Sequence, residues 1–158
     1  FEMVFNIFIS YSSKDSKIVG QFQEHFSKIQ GTSVFLSELN LIVGELSNVL
    51  IAKIKSCDLF IVLYSKNSQN SNYVQQEIGV AKGNSKIILP ILLDMESKPD
   101  AMLQGISYLS IYGENKRNAQ IPKLYNYILQ ESQKKTNSQT LLALGVIVLL
   151  GYALFRDR

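Results

Sequence analysis

Residues 1–135 switch repeatedly between two hydrophobic periods, and that switching constrains the fold more than any other property of the chain. Val4 to Tyr11 (VFNIFISY) is β-branched and aromatic and reads as a buried strand. Asp15 then opens a helix whose apolar positions Ile18, Phe22, Phe26 and Ile29 recur at spacings of three and four. Thr32 to Leu36 is a short second strand, followed by a loop through Gly44. Leu46, Val49, Leu50 and Ile54 form a second helical stripe, and Asp58 to Tyr64 (DLFIVLY) an uninterrupted apolar strand. Ser71 and Asn72 can cap a third helix with the stripe Val74, Ile78, Ala81, ended by Gly83. Lys86 to Leu93 (KIILPILL) is a fourth strand, in which Pro90 predicts a bulge or the strand's end. Tyr108 to Tyr112 is a fifth strand, and Ile121, Leu124, Tyr125, Ile128 and Leu129 stripe a last helix.

Strands that are apolar throughout, rather than alternating, are covered on both faces. Their strict alternation with helices predicts an α/β fold around a parallel sheet. Right-handed crossovers leave few topologies, and the expected one is a flavodoxin-like five-stranded parallel sheet of order 2-1-3-4-5 with helices on both faces. Ligands of such sheets bind beyond the carboxyl ends of the strands. That edge carries Ser10 to Lys14, Ser37 to Gly44, Ser65 to Asn72, Asp94 to Pro99 and Tyr112 to Asn115. Neither G-x-G-x-x-G nor G-x-x-x-x-G-K-[ST] follows any strand, which excludes the standard dinucleotide and P-loop cradles. The third strand ends Tyr64-Ser65 where a receiver-type phospho-acceptor Asp would stand, which excludes that signalling class.

Composition adds one local anomaly. The chain of 158 residues is 46% hydrophobic and only 18% charged, with a mean hydropathy of +0.07. The excess sits in Leu141 to Phe155 (LLALGVIVLLGYALF), a run without a charge that Ser138 to Thr140 extend. Eighteen residues at about 1.5 Å each span roughly 27 Å, the short end of what crosses a bilayer core of about 30 Å. Lys134, Lys135, Arg156 and Arg158 flank the run and can snorkel outwards. The expectation is a domain over residues 3–133, a short linker over 134–140 and a transmembrane or tail-anchor helix over 141–155. A buried core helix is the other reading of the run. No signal peptide precedes the first strand, so the globular part is expected in the cytosol, held at a membrane by its tail. The 16 basic and 13 acidic residues are scattered, which gives no footprint for nucleic acid. One cysteine, Cys57, and one histidine, His25, make neither a disulfide framework nor a zinc or nucleophile-base set. They read as buried filler and an ordinary helix residue.

Four stretches together resemble the Toll/interleukin-1 receptor (TIR) domain family. Phe8-Ile9-Ser10-Tyr11-Ser12 followed by Lys14-Asp15 is similar to the family's first box, where the first strand runs into the AA loop. Val34-Phe35-Leu36 with Gly44-Glu45 is similar to the second strand and the glycine closing the BB loop. Asp58 to Ser65 resembles the third strand, and Asn72-Tyr73 through Glu77 the aromatic-x-x-x-Glu element that opens the third helix. The resemblance covers about residues 3–131. Asn6, Ser37 and Tyr73 depart from the acid, acid and Trp often found at their positions. The BB loop, Glu38 to Gly44, lacks the Pro and basic residue of receptor-type loops.

The resemblance implies an activity. Many microbial and plant TIR domains, and one animal axonal TIR protein, cleave NAD+ at the nicotinamide-ribose bond, giving nicotinamide and ADP-ribose or a cyclic isomer. Their catalytic glutamate falls on Glu77, with NAD+ as substrate and neither cofactor nor metal required. A departing nicotinamide needs no general acid, so one carboxylate beside the ribose suffices where ordinary glycosidases use two. Tyr73, one helical turn before Glu77, matches an aromatic that packs on substrate, or else it is core. Tyr11 and Leu41 match AA- and BB-loop substrate contacts. Ser10, Ser12, Ser37 and Ser65 offer hydroxyls to ribose or phosphate, or serve as turn residues. Leu39, Leu41, Ile42 and Val43 make the BB loop unusually apolar, which points to self-association with a neighbouring subunit or to packing on its own core. The expected role is an NAD+ glycohydrolase of the microbial NAD-cleaving type, in antiviral defence or signalling. The alternative is a non-enzymatic TIR scaffold, or an effector imitating a host adaptor, acting through TIR-TIR contacts.

Overall fold

A computed structural model describes residues 3–37 and 47–137. Five parallel strands, β1 (Phe5–Ser10), β2 (Thr32–Leu36), β3 (Leu59–Tyr64), β4 (Ile88–Leu92) and β5 (Leu109–Ser110), form one sheet of order β2-β1-β3-β4-β5. The helices are α1 (Ser16–Ser27), α2 (Asn48–Ser56), α3 (Lys66–Gln69), α4 (Asn72–Gly83) and α5 (Glu114–Thr136), with 3-10 turns at Ser13–Asp15 and Ala101–Leu103. This is the doubly wound topology expected from the alternating periods.

Strand geometry explains why the strands carry no polar face. Successive side chains point to opposite sides of a sheet. In β1 and β3, Ile7, Ile9, Leu59, Ile61 and Leu63 therefore enter one core, beneath Phe22 and Phe26 of α1 and Leu124 and Ile128 of α5. Phe8, Phe60, Val62 and Tyr64 enter the other, against Leu50 and Ile54 of α2 and Val74 and Ile78 of α4. Register puts Phe8 beside both Phe35 and Phe60, and the three rings stack across the sheet at centroid distances of 5.4 and 5.3 Å.

Several expectations are corrected. Pro90 neither ends nor bulges β4: it pairs with Val62 in the middle of the strand. The amide of Leu93 donates to Tyr64, on the β3 side. By alternation Pro90's missing N–H faces the β5 side, where pairing begins only at Ile91, so no ladder bond is lost. The fifth strand is two residues, not five. Val49 is 65% exposed, so the buried stripe of α2 is Leu50 and Ile54. Helix α3 lies where a loop was expected, and α5 begins at Glu114, with Pro122 inside it.

The expected cytosolic domain anchored to a membrane is also corrected. Among the described residues no helix is long and apolar enough to cross a membrane. Helix α5, at 23 residues, has the length, but it carries charges from Glu114 to Lys135. The hydrophobic helix assigned to residues 141–155 lies outside the described residues.

Candidate active site

Side-chain parity decides what meets at the carboxyl edge. Ser10 ends β1 in step with Phe8, so its hydroxyl faces the layer of α2 and α4. Ser37 follows β2 in step with Phe35, and its amide donates to the carbonyl of Ile9 (3.0 Å), which continues the ladder. Helix α4 enters from the same edge. Ser71 caps it by accepting from the amide of Val74 (3.4 Å), which sets Glu77 in the second turn, facing the sheet.

The three residues converge. Ser10 donates its hydroxyl to Glu77 Oε2 and Ser37 donates to Oε1, so one carboxyl oxygen accepts from the end of β1 and the other from the residue just after β2. Glu77 is 1% exposed, and Ser10 and Ser37 are fully buried. Burial pushes the Glu77 carboxyl above the usual carboxylate range, to about 7, against the two serine hydroxyls, which hold it down. At neutral pH the group is therefore poised between its acid and its base forms, as a group that works on substrate commonly is.

The other expected residues divide. Ser65 has the parity of Leu63 and turns to the opposite face. There its hydroxyl donates to Asp15 Oδ2 (2.6 Å) and accepts from the amide of Ser68 (3.2 Å). Ser12 accepts from the amide of Lys14 (3.4 Å) and caps the 3-10 turn leading into α1. Tyr11 and Tyr73 are half-buried near this edge. Leu39, Leu41, Ile42 and Val43 lie outside the described residues. His25 is exposed, with Nδ1 2.7 Å from the carbonyl of Gln21. Cys57 is buried, and that burial pushes its thiol up to about 11, which leaves it an unreactive filler at neutral pH.

Three further acidic residues, Asp15, Asp94 and Asp100, help build this edge. Asp15 also accepts from Asn67 (3.0 Å), which ties the start of α1 to α3. Asp100 accepts from the buried Tyr64 hydroxyl and from Gln69 (2.6 Å). Asp94 accepts from the amides of Lys66 (2.9 Å) and Ser97 (2.8 Å). Partial burial acts to raise the Asp94 carboxyl, but these donors outweigh it and the net shift is downward. The sequence signal for α3 is Ser65-x-x-Ser68, with a serine in place of the usual Glu or Gln of a capping box.

No group of His, Cys, Asp and Glu among the described residues could hold a metal ion. A groove of about 270 Å³ opens elsewhere, between α1 and α5, lined by Ile18, Phe22, Ile111 and Ile121 with His25 and Arg117. It holds no carboxyl group and lies on the face of the sheet away from Glu77.

Comparison with known proteins bears on this arrangement. Among solved structures, the TIR domain of the Toll-related receptor TRR-2 from Hydra magnipapillata is similar with a TM-score of 0.62 at 19% identity, covering 77% of this chain and 96% of that one. The TIR domains of the activated Roq1 resistosome, which directly recognises the pathogen effector XopQ, give 0.50 at 19% identity, covering 84% and 82%. At such identities these likenesses establish the fold alone. No curated protein matches the chain. The TIR domain family model, however, matches residues 7–125, from the first strand through the first half of the last helix, and the chain belongs to the TIR domain family.

Proposed function

We propose that this TIR domain is an NAD+ glycohydrolase in which Glu77 is the catalytic carboxylate. The observation that carries the reading is a single acid, buried at the carboxyl edge, whose two oxygens are gripped by serines at the ends of β1 and β2 and which is poised near neutrality. The C1′–N bond of NAD+ breaks with its electron pair passing to the pyridinium nitrogen, so the departing nicotinamide is neutral. The positive charge left on the ribose is stabilised by the ionised Glu77 until water adds to C1′ and releases a proton to solvent, or a group of the ADP-ribose itself adds there. Tyr11 and Tyr73 would border the substrate. Self-association through Leu39, Ile42 and Val43, with Leu41 as a substrate contact, belongs to the same reading, and it makes nicotinamide release per molecule rise with protein concentration.

The test is nicotinamide release from NAD+ by purified protein. Wild type is expected to release it, with kcat/KM rising about tenfold from pH 6 to pH 8 as Glu77 ionises. Glu77→Ala should lose at least about a hundredfold. No release by concentrated wild type defeats the reading.

One observation favours a second reading. Glu77 is almost wholly covered and both its oxygens already have partners, which is also what a structural bracket between α4 and the sheet requires. On that reading the chain is a non-enzymatic TIR module, and Glu77→Ala lowers the unfolding temperature while wild type shows no nicotinamide release.

A further inference from the structure

We infer that Ser10 and Ser37 are positioning residues that present Glu77 to the substrate, and are not themselves contacts for ribose or phosphate. The inference rests on the reading of Glu77 as the catalytic carboxylate.

Geometry carries it. Both hydroxyl hydrogens point at Glu77, one to each oxygen, and both serines are 0% exposed. A carboxylate held at one oxygen can still turn about its last torsion, which is broad and soft. Held at both oxygens, by a donor at the end of β1 and a donor just after β2 whose amide is bonded to β1, its plane is fixed relative to the sheet. Each oxygen keeps a second lone pair for a substrate hydroxyl. The serines are in turn fixed by the ladder, through the Ser37 amide on Ile9 and the pairing of Ser10 with Val62.

The hydroxyls also decide how readily Glu77 ionises. The elements packed on α4 are β1, β3, α2, α3 and the 3-10 turn at Ala101–Leu103. Lys53 and Lys55 of α2 and Lys66 of α3 are exposed, and Tyr64 of β3 donates to Asp100. On α4 itself, Lys82 donates to the carbonyl of Met102 (2.8 Å), and Tyr73 is half-buried. Among the described residues, burial and the two hydroxyls are what act on the Glu77 carboxyl.

The test pairs kinetics with a readout that needs no activity. Protein carrying carbon-13 at the glutamate carboxyls is titrated by NMR, with Glu77→Gln identifying the resonance, for wild type, Ser10→Ala, Ser37→Ala, Ser10→Thr and Ser37→Thr. The midpoint of Glu77 is expected to rise by about one pH unit in each alanine variant. The kcat of nicotinamide release should fall about tenfold at unchanged KM. The threonine variants, which keep the hydroxyl, should hold both values near wild type. A rise in KM at unchanged kcat would make the serines substrate ligands and overturn the inference, as would an unmoved carboxyl midpoint in the alanine variants. Should Ser10→Ala fail to fold, Ser37→Ala, outside β2, carries the same test. Wild type without nicotinamide release defeats the enzymatic reading separately, and the titration then decides the bracket alone.

Discussion

Glu77 is costly to keep, and its cost has a sign. Its carboxyl ionises near pH 7 in the folded chain and near the ordinary 4.5 once unfolded, because burial outweighs the help of two hydroxyls. Between those values the folded state holds a proton that the unfolded state has released, so stability falls as pH rises through the window. The contribution is fully present below pH 4.5, is lost by pH 7 and stays lost above it. The difference corresponds to roughly 3 kcal/mol. Glu77→Gln keeps the shape, can accept from one serine and donate to the other, and never ionises. It should therefore stabilise the protein by that order at pH 8 and leave it nearly unchanged at pH 4, as read from urea midpoints at the two values. An equal effect at both would mean that the carboxyl is not held above its ordinary range. Replacing a functional residue often stabilises a protein in this way, so the outcome would accord with the role proposed for Glu77.

At the scale of elements, the edge that presents Glu77 is stapled by short-range polar contacts that periodicity does not register. Helix α3 is one turn long, too short to stand on propensity. It exists because Ser65 and Ser68 cap it reciprocally: the Ser65 amide donates to Ser68 Oγ (2.7 Å), and the Ser68 amide donates back to Ser65 Oγ (3.2 Å). The Ser68 hydroxyl, fully buried, donates to the carbonyl of Leu63 (2.8 Å) at the end of β3. Ser68→Ala leaves that arrangement unmade and should cost about 1–2 kcal/mol, seen as a lower urea midpoint at unchanged slope. No change would mean that water replaces the hydroxyl. The same contrast explains what was legible beforehand. The strands and long helices announce themselves because burying one face demands a period, and Val74, Ile78 and Ala81 had to be core. The weak β5 and the fate of Pro90 depend on partners far away in sequence, whereas α3 rests on a local pair of serines that carries no apolar period. The roles of the serines lay between these cases. Parity with Phe8 and Phe35 would have sent Ser10 and Ser37 towards α4, and parity with Leu63 would have sent Ser65 away from it. That Glu77 lies between the first two requires the crossover geometry that only the fold supplies.

Across the whole molecule the two edges of the sheet have different duties. Glu77 and its serines occupy the carboxyl edge, while the amino edge is closed by a tie between the first strand and the last helix. Asp58, just before β3, accepts from the amide of Asn6 (2.7 Å) and from Lys135 Nζ near the end of α5 (2.6 Å). Both charged side chains are mostly covered, at 27% and 21% exposure, so the pair should exceed the few tenths of a kcal/mol typical of open surface pairs. Asp58→Ala also leaves the Asn6 amide without its acceptor and should cost about 2 kcal/mol, and Lys135→Ala about 1 kcal/mol. The double variant should fall short of their sum by about 0.5–1 kcal/mol, a coupling that shrinks in high salt because part of it is open to screening. Strict additivity would mean that α5 is held by its apolar stripe alone. Neither variant should move the pH midpoint of Glu77, since the tie lies at the far end of β1 and β3. A shift there would mean that the sheet transmits strain from one edge to the other, and that the environment of Glu77 is not independent of the tie at the amino edge.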